Sequence, residues 1–235
     1  FGNPDEFIFF IVGNIGADTL LPLVEKYIGS LPGSGRTETW VDRNVEQPEG
    51  KIGKEIKLQL AVPKSTVFLS FENKIRYTPR NYLGLEVING ILDIVYTETI
   101  REEEGGTYGV GVNLSSQMRP EQKGQGVVTF DCDPLRVDEL KSIAYGEIRT
   151  LMKNGPDRIT LDKAVSNILK TREEGKLHNS YWLSILNRYY LNGINSHDPE
   201  NFENILKTFH TKDIKKISRK MFRRANVVDL VFNPA

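Results

Sequence analysis

The passage from Arg80 to Thr107 constrains this chain more than any other stretch. Leu85, Ile88, Leu92 and Val95 recur at helical spacing between Arg80 and Arg101, the pattern of a helix with one apolar face. Glu102, Glu103 and Glu104 crowd the last turn. Carboxylates there meet the negative end of the backbone dipole, a penalty of roughly 0.3 kcal/mol or more. Gly105-Gly106 then stop the helix, and a strand over Thr107 to Ser116 begins at once. A guanidinium closing the helix (Arg101) and a phenol opening the strand (Tyr108) could reach one shared point across that corner.

The rest of the chain falls into place around this corner. Glu6 to Val12 is a continuous apolar run and predicts a buried strand. Asp18 sits where an N-cap belongs, ahead of the helical stripe Leu20, Leu23, Val24 and Tyr27. Residues 29–54, rich in Gly, Pro and charge, read as a long connection between this first strand–helix unit and the main lobe. Glu55 to Val62 alternates, with Ile56, Leu58, Leu60 and Val62 on one face, and Thr66 to Phe71 gives a further strand after Pro63-Lys64. Pro79 suits the first turn of the long helix.

Gln125 to Cys132 is a strand, set off by Arg119-Pro120 and Gly124. Three helical stripes follow: Val137 to Leu151, ended by Asn154-Gly155-Pro156; Leu161 to Leu169; and Tyr181 to Tyr189, ended by Asn192-Gly193. Two shorter amphipathic helices precede a last strand at Val227 to Phe232. This order predicts an α+β fold, a two-layer sandwich with helices packed on one face of a mainly antiparallel sheet. Residues 1–235 read as a single domain.

Composition excludes more than it selects. Lys plus Arg and Asp plus Glu are 31 each, so no net field favours nucleic acid or an acidic membrane surface. No apolar run is long enough to insert into a bilayer as a helix. The single cysteine, Cys132, allows neither an internal disulfide nor a cysteine metal cage. The glycines at 105, 106, 109 and 111 precede a strand, so no helix N-terminus follows to hold a phosphate, and Gly109 and Gly111 leave one strand face bare for a close backbone or for simple packing. The basic stretch from Lys212 to Arg224 reads as a solvated helix face. Tyr181, Trp182, Tyr189 and Tyr190 read as core or interdomain packing.

Histidines are scarce. His178, His197 and His210 have no second histidine within helical reach, and the pair Glu174 and His178 falls short of a catalytic zinc site. They read as surface or capping residues. Arg101 and Tyr108 likewise have a plain reading, a favourable cation at a helix end and a rim tyrosine in phase with Val110, Val112 and Leu114.

The run Arg101-Glu-Glu-Glu-Gly-Gly-Thr-Tyr108-Gly-Val110 resembles the arginine–tyrosine motif in the C-terminal half of the inverzincin metallopeptidases. That family, M16, includes insulinase, pitrilysin, the mitochondrial processing peptidases and bacterial zinc proteases, of which the two-repeat type is most similar. Phe7 to Ile15 followed by Leu20 to Leu31 resembles its strand–helix unit. Lys64-Ser65-Thr66-Val67 before a strand and the terminal strand fit as well, so the likeness spans nearly the whole chain. One departure is Gly106-Thr107, where the commoner pattern has Leu-Ala or Leu-Gly before the tyrosine.

The resemblance implies the non-zinc C-terminal domain of a longer peptidase. Its partners would be upstream domains of the same polypeptide and an extended peptide substrate. No cofactor is expected in this chain, and zinc is expected upstream on a His-x-x-Glu-His helix. It further implies that Arg101 helps hold substrate backbone and that the Tyr108 hydroxyl supports the scissile carbonyl oxygen as charge develops. Similar bacterial proteins are often exported, which suggests a periplasmic setting. The chain opens on Phe1 close to a strand, which fits a piece of something longer, and on its own it is expected to be inactive. The rival expectation is a catalytically inactive structural or assembly domain of the same family, and a weaker one is a standalone peptide-binding module.

Overall fold

The computed structural model describes residues 3–37, 39, 41–43, 45–59, 63–103 and 109–235, without the side chains of 101–103. In chain order its elements are α1 (Ala17–Tyr27), β1 (Lys51–Leu58), β2 (Ser65–Lys74), α2 (Pro79–Tyr96), a π-helical turn (Thr97–Glu103), β3 (Val110–Gln117) and β4 (Lys123–Cys132). Then come α3 (Val137–Asn154), α4 (Arg158–Gly175), α5 (Asn179–Asn192), α6 (Glu203–Lys207), α7 (Thr211–Phe222) and β5 (Asn226–Pro234). The chain divides into two compact units, Phe1–Val45 with Glu173–Asn195, and Glu46–Arg172 with Ser196–Ala235.

The larger unit is a two-layer α+β structure. Its sheet runs β1-β5-β2-β4-β3; β5, β2, β4 and β3 pair antiparallel, and β1 joins β5 in parallel. Alternation decides which face meets the helices. Val67, Leu69 and Phe71 of β2 are buried, with Val128 and Phe130 of β4 and Val231 of β5 on the same side. Against them pack Leu85, Ile88 and Leu92 of α2, Leu140 and Ala144 of α3, and Ile214 and Met221 of α7. Each fully buried Leu or Ile contributes about 1.5–3 kcal/mol. An exposed pair such as Arg158–Asp162, with both side chains more than half exposed, is worth about 0–1 kcal/mol at best. Burial therefore holds the two layers together.

The caps follow the sequence. Thr78 caps α2 by accepting from the Asn81 N–H at 3.1 Å, with Pro79 in the first turn as expected. Gly155 ends α3 at φ 77°, ψ 177°, a region open essentially to glycine alone. A Cβ there would lie 2.7 Å from the Thr211 carbonyl oxygen. Gly155→Ala should therefore lower stability by about 2–3 kcal/mol in urea titration. Gly193 also has a positive φ, 70°, yet nothing lies near its missing side chain, so Gly193→Ala should cost only about 1 kcal/mol. Equal losses at the two sites would show that the close approach of Thr211 is energetically idle.

Charged groups are buried at two places in the sheet. Asp229 of β5, only 5% exposed, meets Lys141 Nζ at 2.7 Å and accepts from the Tyr145 hydroxyl at 3.0 Å. Burial, and then the Asp229 charge, push the Tyr145 phenol up from its ordinary value, so it stays a donor. Lys51 of β1 rests over the same ring, 4.6 Å from its centroid. At the far end of β2, Glu72 pairs with Lys123 of β4 at 2.8 Å, and Gln125 Nε2 donates to the same carboxylate oxygen at 3.0 Å.

The smaller unit departs from expectation in three ways. No strand forms at Glu6 to Val12: Pro4–Glu6 is a short 3-10 turn, and residues 7–12 belong to no strand of the sheet. The apolar run meets the side-chain requirement of a strand, but a strand also needs a neighbour for its N–H and C=O groups. Helix α1 is capped by Gly16, whose carbonyl accepts from Thr19 and Leu20, while Asp18 sits inside the first turn. The aromatic group on α5 is not core, since Trp182, Tyr189 and Tyr190 are each more than a third exposed. Those rings meet edge to face instead, Tyr181 with Trp182 at 5.2 Å and Tyr189 with Tyr190 at 5.4 Å between centroids.

Candidate functional site

The corner singled out by the sequence lies at one end of the sheet order, where α2 hands over to the edge strand β3. Its helical side is firmly held. Tyr96 is fully buried and its hydroxyl donates to the Ala144 carbonyl of α3 at 3.0 Å. Ile100, four residues on, is also fully buried. Between them the helix widens into the π turn, and Thr97 and Thr99 hydroxyls donate back to the carbonyls of Asp93 and Val95 at 2.8 and 2.9 Å. Such wide turns occur mostly as single turns, frequently at functional positions. The sequence pattern does not reveal it, because the apolar stripe continues through Ile100 as it would in an ordinary α-helix.

On the strand side, Val110, Val112 and Leu114 share the face turned toward α2, and Asn89 Oδ1 of α2 accepts from the Leu114 N–H at 2.8 Å. Gly111 lies opposite Thr129, and a Cβ there would come 3.2 Å from the Thr129 methyl. That contact gives the bare glycine face a packing role. The backbone of Arg101 belongs to the π turn. The side chain of Arg101 and the whole of Tyr108 lie outside the described residues.

Metal ligation was tested on the donor set. Among the described residues no group of three His, Cys, Asp or Glu side chains is placed to hold a metal ion. His178 occupies the N-cap position of α5 and His210 that of α7, where Asp213 accepts from the His210 backbone N–H at 3.0 Å. The His197 carbonyl accepts from Arg172 at 3.2 Å. These donors do not fit a zinc site. Cys132 is buried; desolvation first, then Asp131 and Asp133, push its thiol up to about 11, which leaves it inert as a nucleophile at neutral pH.

Comparison with known proteins gives a consistent picture. The profile of the Peptidase M16 inactive domain matches residues 2–168. A probable zinc protease PqqL of Haemophilus influenzae is 28% identical over 166 residues, 68% of this chain and 17% of the relative. A zinc protease PQQL-like protein of Arabidopsis thaliana is 26% identical over 209 residues, 81% of this chain and 21% of the relative. The chain thus spans about a fifth of the length of the curated relatives it matches. Among solved structures, the periplasmic protease PqqL of Escherichia coli superposes with a TM-score of 0.72 at 21% identity, covering 95% of this chain and 25% of that one. A peptidase M16 inactive domain from Pseudomonas fluorescens gives 0.72 at 17% identity, covering 95% and 52%. With the profile covering well over half of its residues, the chain belongs to the peptidase M16 family, of which it carries the inactive type of domain.

Proposed function

We propose that this chain is the substrate-binding, chamber-closing C-terminal domain of a longer zinc metallopeptidase. In this reading 1–235 is one non-zinc-binding domain, and the connection expected over 29–54 links its first segment to the main lobe, which it enters at β1 from Lys51. Arg101 holds the backbone of an extended peptide. The Tyr108 hydroxyl donates to the scissile carbonyl oxygen, and the zinc belongs to an upstream domain. The observation that supports this most is the anchoring of the corner. Two fully buried residues, Tyr96 and Ile100, lie five residues and one residue before Arg101, in the helix that leads to edge strand β3. A group meant to meet chemistry on another domain has to be carried on a rigid element.

Arginine suits the peptide-holding role because its donors are fixed in geometry and permanently charged. Dividing the machinery between domains couples catalysis to enclosure, since closure completes the site. A periplasmic setting fits by analogy with the Escherichia coli protease.

The test uses the full-length protein. It should hold zinc and cleave unstructured peptides, whereas the 235-residue chain alone should do neither. In the full-length protein Arg101→Gln should raise KM about tenfold or more while changing kcat less. A full-length protein without zinc or cleavage would favour the structural, non-catalytic reading.

A further inference from the structure

Helices α2 and α3 and the turn between α3 and α4 enclose a cleft of about 130 Å³ on the larger unit. Ile91 and Val95 of α2, Leu151 of α3 and Pro156 supply apolar walls. Among the described residues, the charged groups that line it are Glu147 and Asp157, both acidic. Asp157 accepts from the Thr160 hydroxyl at 2.6 Å and from the Thr160 N–H at 2.9 Å, and these bonds hold its carboxyl below the ordinary range. It is therefore ionised at neutral pH, yet no lysine or arginine among the described residues pairs with it, the adjacent Arg158 being taken by Asp162 at 2.9 Å. Lys215 passes close to Gly155 but lines the separate basic groove along α7. Burial first, and then the Glu147 charge, push the Tyr96 phenol up, which places the second carboxylate beside the start of the π turn. The end of α3 at Asn154 adds the negative pole of its backbone dipole.

We propose that this cleft anchors a basic side chain, an arginine or a lysine, carried on a peptide segment of a partner protein. Apolar walls and an acidic rim call for two properties in one group, an apolar stem and a cationic head. Arginine and lysine have both, and they bury the stem while keeping the charge at the polar edge. A neutral apolar side chain would desolvate the two carboxylates without compensating them, and an anion would be repelled. Arginine is favoured over lysine, because its several fixed donors serve more than one carboxylate oxygen. What lies beside the cleft selects a peptide over a free organic cation. Ile159, next to Thr160 of the lining, is 81% exposed, and a chain carrying the anchor would cover it with a flanking residue. Val95 lines the cleft, and its carbonyl accepts from the Thr99 hydroxyl in the π turn at 2.9 Å, so a seated anchor touches the helix that leads to Arg101. None of this depends on the longer protein being a peptidase.

Methyl NMR on the full-length protein, labelled at its isoleucine δ1 methyls, tests this. The capped peptide acetyl-Leu-Arg-Leu-amide should shift the Ile91 and Ile159 signals in a saturable way. The same peptide with citrulline in place of arginine keeps the shape and loses the charge, and it should bind about tenfold or more weakly. Glu147→Gln should weaken the arginine peptide about tenfold and leave the citrulline peptide within about twofold. Propylguanidinium, the same head and stem without a peptide, should shift Ile91 but bind about tenfold more weakly than the peptide. Equal binding of the arginine and citrulline peptides would overturn the proposal, since the cleft would then be a plain apolar groove. So would propylguanidinium binding as tightly as the peptide, because the ligand would then be a free organic cation. The absence of any saturable shift at Ile91 would sink it as well.

Discussion

On the proposed peptidase reading, Tyr108→Phe in the full-length protein is expected to lower kcat about 100-fold while leaving KM within about twofold. The change removes one hydroxyl and keeps the ring. Negative charge builds on the carbonyl oxygen only as the tetrahedral state forms. A donor aimed at that position acts on the barrier more than on binding, and one such donor is worth about 3 kcal/mol. A phenol serves well there because it is neutral at rest and does not hold substrate in a deep ground-state well. Steady-state kinetics on a peptide with a single cleavage site would read the effect. Unchanged kcat would return Tyr108 to the role of a rim tyrosine, and a rise in KM alone would make it a binding residue.

Lys123→Met should destabilise the chain by about 3–5 kcal/mol at neutral pH, the larger of the expected stability effects. Both members of the Glu72–Lys123 pair are nearly buried, with side chains 12% and 10% exposed. Removing the ammonium leaves a largely buried carboxylate whose remaining side-chain hydrogen bond comes from Gln125. The pH dependence carries the diagnosis. In the intact pair, burial opposes ionisation of Glu72, but the hydrogen bonds from Lys123 and Gln125 and the Lys123 charge outweigh it and hold the carboxyl below its ordinary range.

A depressed folded-state pKa gives stability that is complete above the unfolded-state value and is lost as pH falls through the folded-state value. In Lys123→Met the balance reverses. Desolvation dominates, the folded-state pKa rises, and the variant should recover stability as pH falls below about 5. The gap between the two proteins should therefore close between about pH 6 and pH 3 in urea titrations. A gap that is constant with pH would mean that the lysine acts through packing of its stem.

The layer of helices was legible because each carries its own signal. Leu85, Ile88 and Leu92 mark the buried face of α2, and Pro79 and Gly155 mark where helices begin and end. Strands β2 and β4 were legible for the same reason, their alternating residues being buried as the pattern requires. Pairing was not. The alternation over Glu55 to Val62 predicts a strand, but β1 starts four residues earlier, at Lys51, with 60–62 outside the described residues, and nothing local says that it lies parallel to β5, with Lys51 opposite Val227. The buried pairs follow from pairing and inherit that opacity: Glu72 meets Lys123 only because the register of β2 and β4 sets Glu72 against Gln125 and Lys74 against Lys123.

The site divides in the same way. Arg101 and Tyr108 are proposed from resemblance, whereas the π turn and its anchors, Tyr96 on Ala144 and the buried Ile100, came only from the structure. The apolar run at 7–12 is the instructive miss. Its side chains state a need for burial, but a strand exists only where a second backbone lies alongside.

By itself, then, the sequence determined most of the elements, their apolar faces, the α+β class and the family, since periodicity, caps and motifs depend on residues close together in the chain. Tertiary structure alone decided strand order, the neighbours of each buried charge and which apolar segments stay uncovered. Those depend on contacts between residues far apart, where no local preference chooses among the available partners.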